Sequence, residues 1–350
     1  MDYVFQDDSP IDLSRMAVKL YLITDCYCIF VAILTIIGNA MILYLFSTGR
    51  LDSRRNLRII LYMAIADIVY SVLILPQVFY MVLAWEPSFT DYDAHIMAYT
   101  GWPLAMFLKV SAGLNIGAAT ERILALYYPM VYRKVDHVKC SNWLMLVSCL
   151  LGLVDTVLAT VSFRWEQRIN CSSIGCFVNA FFRTYWGASN MVSGLVRSEP
   201  RAQFQAAGVV VIVMSVFVFF KVQKLGRQTG WLGSTPAERK KTLATTQKFR
   251  QANRTTCGVL LSCLFCLTIP SLLVSVIETI TGFSIFERIG AFYVASLLSN
   301  GFMNCLTFLI LNGSVKSKID TKTLSDAVVT TVANSKQHHS SKPTTFVDLS

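Results

Sequence analysis

The stretch Thr120-Glu121-Arg122-Ile123-Leu124-Ala125-Leu126-Tyr127-Tyr128-Pro129 decides how this chain is read. A long apolar run ends here in an acid–base pair. Beyond it come Pro129, then Tyr132-Arg133-Lys134 and a polar loop. Taken alone, Glu121-Arg122 fits an ion pair at any surface helix end. Its place at the close of the third of seven apolar segments gives it a different weight.

Those segments show in the composition. Hydrophobic residues make up 54% of the 350 and charged residues 15%, against about 45–50% and about 25% in soluble domains. Apolar runs of about 20 residues recur, each long enough to cross about 30 Å of hydrocarbon. The chain reads as one all-α membrane domain, a seven-transmembrane helix bundle over 21–311. Its spans are expected at 21–47, 57–84, 98–127, 141–163, 204–222, 256–280 and 289–311. An acidic tail, 1–20, precedes them, and a Ser-, Thr- and Lys-rich tail, 312–350, follows and is expected to be largely disordered. No basic region followed by an apolar one precedes the first span, so that span is expected to act as the insertion signal.

Lys and Arg set the orientation. Arg50, Arg54, Arg55 and Arg58 fall in the first connecting loop, and Arg133, Lys134 and Lys139 in the third. The fifth loop and the C-terminal tail are denser still, which brings one side to 21 basic residues against 8 on the other. The richer side is expected to face the cytoplasm, with the N-terminus outside and the C-terminus inside. The net charge of +10 therefore points to a membrane surface rather than to nucleic acid.

Eight of the ten cysteines lie in or beside the spans, where thiols usually pack as small apolar groups. Cys171 and Cys176 fall in the loop after the fourth span, expected outside, where disulfides persist. A local bridge, two free thiols, or a bridge to another chain all fit their spacing. Asn170-Cys171-Ser172 is a glycosylation sequon in the same loop.

Polar residues inside hydrocarbon are costly and mark function. At 1.5 Å per residue, Asn39 and Asp67 come to about 15 Å from the inner ends of their spans and Asn304 to about 12 Å. With Asn300 they form one layer, read either as a hydrogen-bonded packing network or as a hydrated or Na⁺-holding site. Three charges are expected well inside the spans: Asp67, Lys109 and Asp155. Lys109 and Asp155 come to similar heights. Lys109 is open to three readings: an ion pair with Asp155, snorkelling to the interface, or contact with an anionic or carbonyl-bearing ligand. Trp102, Phe107, Phe292 and Tyr293 are expected to line the rest of an apolar ligand cavity.

Gly38-Asn39, Met63-Ala64-Ile65-Ala66-Asp67 and Glu121-Arg122-Ile123 with Ala125 and Pro129 resemble the signatures of helices 1, 2 and 3 in rhodopsin-like G-protein-coupled receptors. The resemblance covers the seven spans. It implies an activation switch built on Glu121, Arg122, Pro129, Pro270 and Asn304. The departures are specific. Helix 6 carries Leu267-Thr268-Ile269-Pro270 where the family has an aromatic switch, and helix 7 carries Asn304-Cys305-Leu306-Thr307-Phe308, without the usual Pro and Tyr. Met97 stands where the family has a disulfide-forming cysteine, Leu104 stands where amine receptors have an aspartate, and helix 5 lacks its usual proline. A retained acid–arginine pair amid such erosion resembles the divergent nematode serpentine chemoreceptors. The resemblance implies an extracellular small-molecule ligand, a heterotrimeric G protein as partner, no cofactor, and a multi-pass plasma-membrane protein, in sensory cilia if it is a chemoreceptor. It leaves open a peptide or hormone receptor of the same superfamily.

Other classes fit less well. No internal repeat supports an inverted-repeat transporter. The four histidines, His95, His137, His338 and His339, all fall outside the expected spans, which leaves an intramembrane zinc enzyme without ligands at helical spacing.

Overall fold

The computed structural model describes residues 9–48, 58–86, 91–163, 165, 177–179, 251, 253–270, 273 and 291–311. Seven helices lie within them. They are α1 (Ser9–Ser47), α2 (Arg58–Leu83), α3 (Ala94–Tyr127), the short α4 (Pro129–Lys134) and α5 (His137–Val161). Residues 253–270 form α6, with a π-helical stretch at Leu264–Thr268, and Phe292–Leu311 form α7. The expected fifth span, 204–222, lies outside the described residues, as do Asn170, Cys171, Cys176 and the C-terminal tail.

The helix boundaries follow from local chemistry. Asp93 caps α3, its carboxylate accepting from the amides of His95 (2.7 Å) and Ile96 (3.4 Å). Asp136 caps α5 in the same way, accepting from Val138 (3.1 Å) and Lys139 (3.3 Å). Each cap answers amides that the helix itself leaves unpaired, worth about 1 kcal/mol. Those amides also hold the exposed Asp136 carboxyl below the usual carboxylate range. Pro129 opens α4 at a position where its missing N–H costs nothing. α1 begins at Ser9, ahead of the expected apolar start, because Pro10 suits a first helical turn and nothing after it breaks a helix. Pro270 follows the π-helical turn of α6, where Thr268 Oγ1 reaches back to the Cys263 carbonyl at 3.5 Å.

α3 packs on α2 along one side and on α5 along another. The α3–α5 seam is built from small residues. A Cβ at Gly113 would stand 2.2 Å from Ser148 Oγ, and one at Gly117 would stand 2.0 Å from Leu144 Cδ2. Gly113 and Gly117 lie four apart on one face, the spacing that lets membrane helices approach closely. At Gly152 a Cβ would lie 2.6 Å from the Met106 carbonyl oxygen, which belongs to the backbone and has no rotamer to yield. α5 otherwise exposes an apolar face of Trp143, Leu146, Leu150, Val154 and Val157, suited to lipid.

At the α3 N-terminus the structure shows what stands in place of a helix-to-loop disulfide. Met97 is fully buried. The chain after α5 doubles back through an antiparallel bridge between Phe163 and Val178, with Asn179 N donating to Ser162 O at 2.9 Å. Phe163 stacks on the buried Phe177 at 5.8 Å, and Trp165 packs against Phe163 (5.0 Å) and His95 (4.7 Å). Aromatic packing of this kind is worth about 0.5–1.5 kcal/mol per pair beyond burial.

The seam yields a prediction. Gly152→Val is expected to force α3 and α5 apart at a cost of about 1–3 kcal/mol. Gly38→Ala meets only the Cys305 side chain and is expected to cost less. Thermal unfolding of the two purified variants checks the order.

Candidate functional site

The Glu121-Arg122 pair sits at the end of α3, and α4 folds back beneath it. Arg122 is only 3% exposed, and its Nη2 lies 3.8 Å from Glu121 Oε1. Tyr132 donates its hydroxyl to the same Glu121 oxygen at 3.1 Å. The turn at Tyr128-Pro129 makes this possible, because it starts a new helix that carries Tyr132 back toward α3. Partial burial and the Glu121 carboxylate push the Tyr132 phenol up to about 12, so it remains a donor at any physiological pH. His137, at the start of α5, holds Tyr132 in place. Its Nε2 lies 3.0 Å from the Tyr132 carbonyl oxygen, and the two rings are 4.2 Å apart. Glu121 is thus shared between an arginine and a tyrosine.

A polar layer crosses the middle of the bundle. Asn39 donates to the Thr35 carbonyl (3.0 Å), and Thr35 Oγ1 reaches the Leu298 carbonyl of α7 (3.3 Å). Asn300 Nδ2 reaches Ser111 Oγ at 3.4 Å, and Asn115 Nδ2 donates to the Ser111 carbonyl at 2.9 Å. A cavity between the helices is lined by Asn39, Met63, Asp67, Val259, Asn304 and Cys305, with room for about one water molecule. Asn39, Asp67 and Asn304 therefore meet in one layer. Asn300 lies on the side of α7 that faces α3, one turn nearer the α7 N-terminus. Asp67 Oδ2, Asn300 Oδ1 and both amide atoms of Asn304 are buried without a hydrogen-bond partner among the described residues.

Lys109 and Asp155 form a third polar feature. Lys109 Nζ lies 3.4 Å from Asp155 Oδ2, and both side chains are largely buried. The pair continues the glycine seam, since Lys109, Gly113 and Gly117 recur every four residues on α3 and Ser148, Gly152 and Asp155 recur at spacings of four and three on α5. Lys109 thus faces α5. Phe107 lies on another face of α3 and packs on Tyr70 of α2, with ring centroids 5.7 Å apart. Phe292 and Tyr293 lie edge to face at the start of α7, half-buried, and Trp102 is 36% exposed. Phe107 belongs to the main hydrophobic core, and Tyr293 packs against that same core.

Asp25, near the N-terminal end of the apolar segment of α1, is a further charged residue that the sequence reading did not single out, fully buried at 0% exposure. It recurs with Cys28, Ala32, Thr35 and Asn39 on the inward face of α1, a spacing of three and four that was available in the sequence. Tyr132 was also missed as a partner of Glu121. No sequence pattern announces a contact made across a turn.

Four helices among the described residues are long and apolar enough to cross a membrane. α3, at 34 residues, is long enough but more polar, since its Ser111, Asn115 and Arg122 are buried against protein. Helices of this length joined through an internal polar layer define a helical, multi-pass membrane protein. The family model for the serpentine type 7TM GPCR chemoreceptor Srbc matches residues 16–198, more than half of the chain, and the chain belongs to that family. No curated protein matches it.

The buried pair on the seam is expected to behave as a unit. Removing one partner of a buried ion pair costs about 3–5 kcal/mol. Lys109→Met and Asp155→Asn should each lower surface expression, and the double variant should recover part of it. Surface immunostaining of the three variants checks this.

Proposed function

We propose that the protein is a chemosensory receptor that converts binding of an extracellular small molecule into activation of a heterotrimeric G protein. The observation that carries the reading is the buried Arg122 held by Glu121, with Tyr132 as a second latch. In this reading the basic loops face the cytoplasm, and the Arg122 end of α3 is the end that meets the G protein. At rest, Glu121 neutralises Arg122, and Tyr132 keeps α4 folded against the site. Ligand binding at the opposite end favours a state in which α6 moves outward. The π-helical turn before Pro270 already lacks regular hydrogen bonding and is a natural place for that bend. Arg122 then leaves Glu121 and enters the opened cleft.

The polar layer fits a coupling role between the two ends. Asp67 and Asn304 present oxygen donors to one small cavity, a donor set suited to water or to a hard monovalent cation. In the proposed cycle this layer is hydrated at rest and rearranges as α6 and α7 shift. The Lys109–Asp155 contact favours a structural role for that lysine over ligand contact, because its charge is answered within the seam.

Two measurements test the reading. Epitope tags at each terminus, stained with and without permeabilisation, should show the N-terminus outside and the C-terminus inside. An accessible C-terminal tag on intact cells would sink the topology. In cells expressing a G-protein activation reporter, Tyr132→Phe should raise basal signalling up to about tenfold, since a hydrogen bond to a charged group is worth about 1.5 kcal/mol. Arg122→Ala should abolish signalling while surface expression persists. Normal signalling by Arg122→Ala contradicts the proposal.

A further inference from the structure

The inward face of α1 is a stripe: Tyr21, Asp25, Cys28, Ala32, Thr35, Asn39, Ile42 and Phe46 are all buried. Its polar members are answered within the protein with one exception. Thr35 and Asn39 make the hydrogen bonds described above. Asp25 does not: both of its carboxylate oxygens are buried without a hydrogen-bond partner among the described residues. It belongs to none of the ion pairs found among the described residues.

α2 supplies the facing wall. Tyr70 and Gln77 lie two turns apart on one buried face, and each is 2% exposed. Tyr70 Oη and Gln77 Oε1 are also buried without a partner. Cys28 and Tyr70 pack in the same core. Cys28 is within electrostatic reach of Asp25 on its own helix and of Tyr70 across the interface. α1 and α2 run antiparallel. From the Cys28–Tyr70 level, Asp25 therefore lies about 4.5 Å and Gln77 about 10 Å toward the same end of the bundle. α7 flanks this face, with Tyr27 Oη 2.8 Å from Ser299 Oγ and Thr35 bonded to the Leu298 carbonyl. Its first turn, with Phe292 and Tyr293, lies toward that end as well.

The unanswered atoms have a common character. A carboxylate and an amide oxygen both accept hydrogen bonds, and a single phenol cannot satisfy both. A buried carboxylate held for structure alone is paired, as Asp155 is with Lys109 in the same bundle. The complement that Asp25 and Gln77 call for is a cation with several N–H donors. We propose that Asp25 anchors a protonated amine, with Gln77 accepting a second hydrogen bond and Tyr70 bordering the site. The ligand class is thus a small ammonium-bearing molecule. Its anchor stands on α1, between α1 and α2, and not at Leu104 of α3. The inference rests on the chemoreceptor reading for its premise that this end of the bundle opens outward.

The test uses the full-length chain in lipid nanodiscs and needs no G protein. Thermal unfolding is followed with butylamine and phenethylamine, each matched to its uncharged alcohol, butanol and phenethyl alcohol. At least one amine should raise Tm by several degrees where its alcohol does not. The shift should vanish in Asp25→Asn and shrink in Gln77→Leu. Without ligand, Asp25→Asn should be at least as stable as the wild type, since the amide removes an unanswered buried charge. Three results overturn the proposal: no amine shifts the wild type, alcohols shift it equally, or the amine shift persists in Asp25→Asn. Should Asp25→Asn fail to fold, Asp25 is structural and the proposal falls. Because binding is read directly, a chain that binds amines but activates no G protein would sink the signalling reading and leave this one standing.

Discussion

Inside a bilayer no water answers a buried charge, and the structure is arranged around that constraint. Each ionisable group in the helices needs a partner, a place at the interface, or a ligand. Asp155 has Lys109 across the α3–α5 seam. Arg122 has Glu121, and Tyr132 shares that carboxylate. Asp67 shares a cavity with two asparagines. These contacts determine which faces of the helices meet, since a small rotation of α3 would strand a charge in hydrocarbon.

α3 bears most of this. It presents glycines and Lys109 to α5, Phe107 to Tyr70 of α2, Ser111 to Asn300 of α7, and Arg122 near its C-terminal end. Close approach and polar pairing act together along the seam. Gly113, Gly117 and Gly152 bring the backbones near enough for Lys109 to reach Asp155, and that ion pair resists their separation. Such a helix is more polar than its neighbours, because its surroundings are protein where theirs are lipid.

The same logic separates settled sites from responsive ones. The Lys109–Asp155 pair is matched in charge and enclosed, so it holds the bundle together. The Glu121 carboxylate is divided between two donors on elements joined only by the Tyr128-Pro129 turn, so movement of either element redistributes its contacts. The middle layer retains acceptor and donor atoms that no described residue satisfies. In the proposed cycle this is the layer that rearranges, since those atoms are not held by a specific partner.

Composition and pattern alone establish the class of molecule. Apolar runs of membrane length, the Glu121-Arg122 pair at the end of one of them, and the aligned depths of Asn39, Asp67 and Asn304 depend on composition and helical rise, both one-dimensional quantities. A neighbour of Lys109 was also legible, since depth brought Asp155 to its level. Depth did not supply azimuth. Whether Lys109 turned to α5 or to the bundle centre depended on glycines that allow α3 and α5 to touch. Asp25 kept its periodic spacing in the sequence, but its isolation became visible only once α2 was packed against it. The Tyr132 latch depended on the break at Tyr128-Pro129 that ends α3 and starts α4. Tertiary structure decided these points because a hydrogen bond or an unanswered charge is a relation between helices, and no helix alone contains it.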